Sequence, residues 1–279
     1  MTRPLAALIA AILFLPAAGL QEGPNGDKEK EKQELQKREE EAKAALKAYR
    51  EKRTKSKSED DVISAIGLLK DAKPHKLIRT ELLSLLNNNL PPKIRIEAAE
   101  SLGEYKKDPI ACDGLLQVAK SARGDDLVDL RKECLRRFGN IAPFGKSVDL
   151  RNFFSEPDTV VAREAIGAVE SIKSVRMLAS LVALLGELER IREDDGKDPG
   201  KDPGPEVPGG GQKQGDNNSQ RKRKTDLLEP TKKAINTIYG KHDPKKQLKD
   251  YTEANRAVAD ARAELRKIQD QEDAEDKKP

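Results

Sequence analysis

The sequence predicts an all-α protein, a right-handed solenoid of about five stacked helix pairs, and three observations lead to this fold class. First, one phrase of small and apolar residues recurs along the chain at helical spacing. Second, another apolar segment lies between consecutive copies of the phrase, so each repeating unit contains two helices. Third, aromatic residues make up only 3% of the chain and tryptophan is absent, which favours a core of Leu, Ile, Val and Ala.

The reference copy of the recurring phrase is residues 93–105, KIRIEAAESLGEY. Its apolar stripe at helical spacing consists of Ile94, Ala98, Ala99 and Leu102. Each copy has a small residue, called its anchor here, at which a neighbouring helix is expected to approach closely. The five anchors are Ala65, Ala98, Cys134, Ala165 and Ala234. Successive anchors are about 31 to 36 residues apart, except before the last one, where the doubled interval indicates a unit with an insertion.

The other helix of each unit is predicted from the apolar segments between the anchors. These segments are residues 76–86, 110–119, 148–154 and 175–188. A unit of two short amphipathic helices cannot bury its apolar stripe alone. We therefore expect neighbouring units to stack on one another.

The reference copy, with Arg95 near its start and then Ala-Ala-x-x-Leu-Gly, resembles the second helix of a HEAT repeat. Arg131 occupies the matching position in the next copy, whereas the third copy has Ala162 there and Arg163 one residue later. The resemblance covers residues 59–240 without the insertion, and its last part is similar to exported bacterial HEAT proteins. It implies an armadillo-like solenoid but leaves the function open, because HEAT solenoids bind many partners. An ordinary helical bundle and a TPR array are the alternatives, and the irregular period disfavours the TPR array.

The N-terminal residues 1–20 are typical of a secretory signal peptide. Arg3 precedes an apolar run over residues 5–15, and the small residues 17–19 follow Pro16. We therefore expect export to the periplasm or the extracellular space. The apolar run is shorter than the roughly 20 residues of a membrane-spanning helix, so no stable span is expected after cleavage. The alternative is an uncleaved N-terminal membrane anchor.

Composition divides the rest of the chain. Residues 27–58 are rich in Lys and Glu and predict a charged helix, which leads into repeats over 59–193. Residues 194–224 contain a tandem Gly-Lys-Asp-Pro and three consecutive glycines, and they predict a disordered linker. Residues 225–270 predict the last repeat and a capping helix, and 271–279 a disordered tail.

The predicted capping helix has an apolar seam whose residues alternate three and four apart. The seam consists of Tyr251, Ala254, Val258, Ala261, Leu265 and Ile268. Such a seam is expected to cover the last repeat. The alternative is a seam between two copies of the chain, which the small alanines disfavour because they bury little area.

The sequence contains no motif that indicates catalysis, a cofactor or a metal site. His75 and His242 are the only histidines, and neither has a ligand or nucleophile at a recognised spacing. Cys112 and Cys134 are the only cysteines. We interpret them as two buried thiols, while export would also permit a disulfide. The protein is thus expected not to be an enzyme; a glycosylase or lyase on a solenoid frame is a further alternative.

The predicted function is a non-enzymatic scaffold that binds a protein partner through the outward positions of the anchor helices. The candidate residues at these positions are Glu97, Glu100, Glu104, Glu133, Arg136, Arg137, Glu164 and Ser171. They mix acids and bases, and the whole chain has 53 basic and 49 acidic residues. A mixed surface suits a protein partner better than a phosphate backbone. The alternative function is a basic solenoid that binds nucleic acid or another polyanion, for which the basic run at residues 221–224 is the main signal.

Overall fold

The structure is a computed structural model that describes residues 24–191 and 213–278 of the 279-residue chain. Within these residues every regular element is a helix and no strand occurs. The predicted all-α class is therefore confirmed for this part of the chain. The predicted signal peptide, residues 1–20, lies outside the described residues, as does most of the predicted linker.

The N-terminal half contains six α-helices. They are α1 (Pro24–Lys55), α2 (Glu59–Lys70), α3 (Lys76–Asn87), α4 (Pro92–Leu102), α5 (Pro109–Ser121) and α6 (Val128–Ile141). A long 3₁₀ segment, Phe144–Phe153, follows α6. The later helices are α7 (Thr159–Ile172), α8 (Leu178–Arg190), α9 (Lys213–Tyr239), α10 (Tyr251–Asp260) and α11 (Arg262–Asp276). Short 3₁₀ turns, Asp125–Leu127 and Val175–Met177, precede α6 and α8.

Several helices begin where a polar side chain accepts hydrogen bonds from the first free backbone N–H groups. Ser58 starts α2 with a capping box that includes Asp61. Asp108 accepts from two backbone N–H groups of α5, and Asp158 does the same for α7. At these three helices the local sequence thus specifies where the helix begins.

Adjacent helices pair along the chain: α1 packs on α2, α3 on α4, α5 on α6, the long 3₁₀ segment on α7, and α8 on α9. The second members of these pairs also contact one another in the order α2, α4, α6, α7 and α9, and we call these five helices the anchor layer. All five predicted anchors lie in this layer with 0% exposure. The predicted inward face of the recurring phrase is therefore confirmed.

The closest approach within the anchor layer is between α6 and α7. A Cβ atom added at Gly139 would lie 2.6 Å from the Cα atom of Ala168, a distance that real Cβ contacts do not reach. Phe138, the neighbouring residue in α6, is completely buried. The absence of a side chain at Gly139 thus permits the backbones of α6 and α7 to meet.

The fourth pair departs from the prediction, because its first member is a 3₁₀ segment rather than an α-helix. Pro143 precedes this segment, and the carboxylate of Asp276 in α11 accepts hydrogen bonds from the backbone N–H groups of Phe144 and Gly145, at 2.9 and 2.7 Å. The first N–H groups of a helical segment have no acceptor within that segment. Here a residue far along the chain, Asp276, supplies the acceptor.

Both segments that were predicted to be disordered contain helix. The linker prediction is wrong for residues 213–224, because α9 already begins at Lys213. Arg223 donates to the backbone oxygens of Phe154 and Glu156, and Lys224 Nζ lies 3.1 Å from the Ile191 oxygen. The residues of this segment show no apolar periodicity, and its contacts are polar. The sequence pattern therefore did not predict that it packs on the fold.

The tail prediction is also wrong, because α11 extends to Asp276. Glu272 is only 3% exposed and accepts from Ser174 Oγ at 2.8 Å, from the Val175 N–H at 3.0 Å and from Lys241 Nζ at 3.0 Å. Arg176 forms an ion pair with Asp273. The end of α11 is thus fixed by polar side chains.

The capping helix predicted from the alternating seam is two helices that meet at Ala261. The seam residues are buried or half-buried, so the predicted inward face is confirmed. Helix α10 packs on α8 of the last pair, whereas α11 runs back over the long 3₁₀ segment and the turn before α8. We call α11 the C-terminal strap, because it connects the last pair with the preceding one.

Candidate protein-binding surface

The structure places seven of the eight candidate residues in helices α4, α6 and α7 of the anchor layer. The eighth, Glu104, lies just after the end of α4. Glu104, Arg136 and Ser171 are exposed. Glu97, Glu100, Arg137 and Glu164 are half-buried. The predicted outward direction is wrong for Glu133, which is only 7% exposed.

The burial of Glu133 follows from its place on α6. Helix α6 lies between α4 and α7 in the anchor layer. Because both neighbours cover part of its surface, fewer of its side chains reach solvent. The carboxylate of Glu133 accepts from Arg137 Nε at 2.6 Å and also pairs with Arg136. A buried carboxylate needs such partners, because an unpaired charge inside a protein is strongly disfavoured.

Four of the candidate residues are joined by ion pairs that connect consecutive helices. Lys70 of α2 lies 3.5 Å from Glu97 and 3.4 Å from Glu100 of α4. Arg137 of α6 lies 3.6 Å from Glu100 and also contacts Glu133. Charges that are already compensated within the protein offer little to a partner. This part of the surface therefore connects α2, α4 and α6.

Three of the other four candidates come together at a groove of about 500 Å³ between α6, α7 and α9. Its lining includes Arg136, Asn140, Glu164, Gly167, Ser171 and Lys233. We call it the α6–α7 groove. Arg136, Glu164 and Ser171 thus share one concave site. The other five candidates lie outside it: Glu97, Glu100, Glu104, Glu133 and Arg137.

Glu164 is the unusual charge of this groove. Its half-buried carboxylate forms no hydrogen bond or ion pair within the described residues. Burial raises the pKa of Glu164, and the positive charge of Arg136 opposes that increase. By contrast, the nearby Glu170 is paired with Lys233 at 3.1 Å and with Thr237 at 3.2 Å. Glu164 thus differs from Glu170 in having no direct ion-pair partner within the described residues.

Gly167, inside α7, is a residue of the groove that sequence reasoning missed. A Cβ atom added there would meet no other atom within 4 Å. Glycine inside a helix costs about 0.5–1 kcal/mol relative to alanine, and here packing does not require it. Gly67 in α2 occupies the same place, two residues after its anchor, and is equally open. The signal was present in the sequence as the repeated Ala-Ile-Gly of residues 65–67 and 165–167.

The two histidines form contacts within the fold, and the two cysteines are buried. His75 caps the start of α3, and His242 Nδ1 lies 3.0 Å from a carboxylate oxygen of Glu264. Cys112 and Cys134 are free and buried, and burial raises the pKa of both thiols to about 12. In residues 24–191 and 213–278, no three His, Cys, Asp or Glu side chains are grouped as a metal site would require.

No known protein family, no curated protein and no solved structure matches the chain. The resemblance to HEAT repeats therefore rests on the recurring phrase of the sequence. In the described part of the chain, no helix is both long and apolar enough to cross a membrane.

Proposed function

We propose that this protein is a non-enzymatic scaffold that binds a protein partner, and that its helix pairs form a HEAT-like solenoid. The contacts between pairs support this proposal, because the five helices of the anchor layer follow one another in an unbroken order. Stacked helix pairs of this kind present extended surfaces to their partners. The right-handed sense of the stack, export from the cell and the alternative of an N-terminal membrane anchor stay predictions.

A bond that recurs in two successive pairs also supports the solenoid. Arg95 Nε donates to the backbone oxygen of Leu86 at 2.9 Å, near the end of α3. Arg131 Nε donates to the oxygen of Ala119 at 2.9 Å, near the end of α5. Equivalent arginines thus connect the second helix of each pair to the carboxyl end of the first. In the third copy the shifted Arg163 is exposed.

The observation that carries the proposed binding site is an open helix backbone in the α6–α7 groove beside a half-buried carboxylate that forms no hydrogen bond or ion pair within the described residues. At Gly167 a partner's main chain is able to approach α7 more closely than at any position with a side chain. Glu164, one turn earlier on the same helix, is positioned to pair with a Lys or Arg of that partner. We therefore expect a polypeptide segment with a basic residue.

Polyanion binding receives less support. The α6–α7 groove contains acids and bases side by side, and a phosphate backbone would face the carboxylates of Glu164 and Glu170. The basic run that suggested nucleic acid is partly engaged in the fold, because Arg223 binds two backbone oxygens. These contacts favour a protein partner.

The test compares Gly167→Leu with the matched control Gly67→Leu. Both replace an open glycine at the same place in an anchor-layer helix, so both should keep or raise stability. A partner captured from the native envelope or secreted fraction would be purified, and its Kd measured for each variant. We expect Gly167→Leu to weaken binding at least about tenfold, and Gly67→Leu to leave the Kd unchanged.

Glu164→Gln serves as a second variant that adds no bulk. We expect it to weaken the complex and to reduce the salt dependence of the Kd, because it removes the charge but keeps the shape. If Gly167→Leu folds and binds the partner as tightly as the wild type, the α6–α7 groove is not the binding site.

A further inference from the structure

A second groove, of about 500 Å³, lies outside the anchor layer, between α8 and the two closing helices α10 and α11. Its apolar lining includes Leu178 and Val182 of α8 and Val258 and Leu265 of the closing helices. Ala179 and Ala183, exposed and one turn apart on α8, leave space between these helices. A groove bounded by helices in this way has room for apolar side chains from another helix.

The charged residues that line this groove are all arginines. They are Arg176, Arg262 and Arg266. Arg262 and Arg266 are exposed and form no ion pair or hydrogen bond within the described residues, whereas Arg176 is paired with Asp273. Uncompensated positive charge beside an apolar floor indicates an anionic, partly apolar ligand.

The spacing of Arg262 and Arg266 favours an acidic helix over a lipid as the ligand of this groove. Arg262 and Arg266 are four residues apart on α11, so they lie on one face with about 6 Å of helix between them. Two acidic residues one turn apart on a helix alongside α11 would match this spacing. An amphiphile with one head group would engage one of the two positions and leave the other uncompensated.

We propose that this arginine-rimmed groove binds an amphipathic helix of a partner protein, with apolar residues on one face and two acidic residues one turn apart beside them. The apolar face enters between α8 and the closing helices, and the carboxylates meet Arg262 and Arg266. This site is separate from the α6–α7 groove and does not depend on the function proposed for it.

The probe is a synthetic fluorescent helical peptide with leucines at positions i, i+3, i+4 and i+7 and two glutamates one turn apart beside them. Its Kd for the full-length chain is measured by fluorescence anisotropy. The double variant Arg262→Glu/Arg266→Glu should weaken binding at least about tenfold and should instead bind a peptide whose two glutamates are replaced by lysine. Arg256→Glu is the matched control, because Arg256 is exposed on α10 and does not line the groove.

Ala183→Leu provides a steric test, since an added side chain at this exposed position would fill the groove without entering the core. Circular dichroism would verify that the variant folds, and loss of peptide binding is the expected result. Three results would overturn the proposal. The first two are no binding of the acidic peptide to the wild type and equal binding of the acidic and lysine peptides. The third is that myristate competes with the acidic peptide and has a lower Kd than the peptide. Unchanged affinity in the double variant would also reject it.

Discussion

The anchor layer and the C-terminal strap hold the same protein together by opposite means. Helices of the anchor layer meet through small and apolar residues that repeat from pair to pair, and the anchors are completely buried. The strap is fixed by carboxylates, with Glu272 buried against the turn before α8 and Asp276 bound to two backbone N–H groups. In the anchor layer apolar burial is spread over many residues, whereas the strap adds a few polar contacts near its end to the burial of Leu265 and Ile268. The two regions should therefore respond differently to substitution.

Removing a large side chain from the anchor layer should have the largest effect. Phe138→Ala empties a fully buried position of α6, and we expect a loss of about 3–5 kcal/mol in the free energy of unfolding. Urea denaturation followed by circular dichroism would measure it. A loss below about 1 kcal/mol would mean that the core around Phe138 contributes little to stability or relaxes to fill the space.

The strap should be nearly as sensitive at a single residue. Glu272→Ala leaves Lys241 and the backbone N–H of Val175 without their acceptor, and we expect a loss of about 3 kcal/mol. Hydrogen exchange would locate the effect, with faster exchange in α11 than in α6. The matched control, Glu275→Ala, changes an exposed side chain on the same helix and should stay within about 0.5 kcal/mol. Equal losses of stability in both variants would contradict the role given to the polar contacts of Glu272.

Two glycines of the anchor layer should change stability in opposite directions. Gly139→Ala forces α6 away from α7 and should cost about 1–3 kcal/mol, because its Cβ atom would meet backbone. Gly167→Ala adds a methyl group to open space inside a helix and should stabilise by about 0.5–1 kcal/mol. Thermal unfolding of the two variants would test this difference. A destabilising Gly167→Ala would show that the space at Gly167 is occupied.

The smallest expected difference is in local unfolding, which thiol reactivity would measure. It compares the closing helices with the anchor layer. The unfolded-state pKa of a thiol is about 9, and burial raises the pKa of Cys112 and Cys134 to about 12, so neither forms the reactive thiolate near pH 8 while folded. We expect both to react with Ellman's reagent only on unfolding. Ala257→Cys would place a third buried thiol in α10, and it should react earlier if the closing helices open before the anchor layer.

The raised thiol pKa values also set the sign of a pH effect. Between pH of about 9 and about 12 the unfolded chain has lost the thiol protons while the folded chain retains them, so this contribution to stability falls as pH rises. The double variant Cys112→Ala/Cys134→Ala should show a smaller decrease over that interval. An unchanged slope would mean that the thiols are accessible in the folded protein.

The sequence by itself determined which helix faces are buried in the repeats. The recurring phrase located Ala65, Ala98, Cys134, Ala165 and Ala234, all of which are completely buried. The seam from Tyr251 to Ile268 likewise indicated the inward face of the closing helices. Both predictions rest on periodicity, which is local: a side chain three or four residues further on lies on the same face whatever the helix packs against.

Only the tertiary structure decided how the charged residues are used. Glu133 is buried because α4 and α7 lie on either side of α6, and Glu272 because α11 returns over the turn before α8. In sequence each resembles the many exposed glutamates of this chain. The two grooves likewise combine residues from segments far apart, such as Arg136 with Lys233 and Leu178 with Arg266. Periodicity determines the direction of a side chain from its helix, but the residue that it meets there depends on long-range packing.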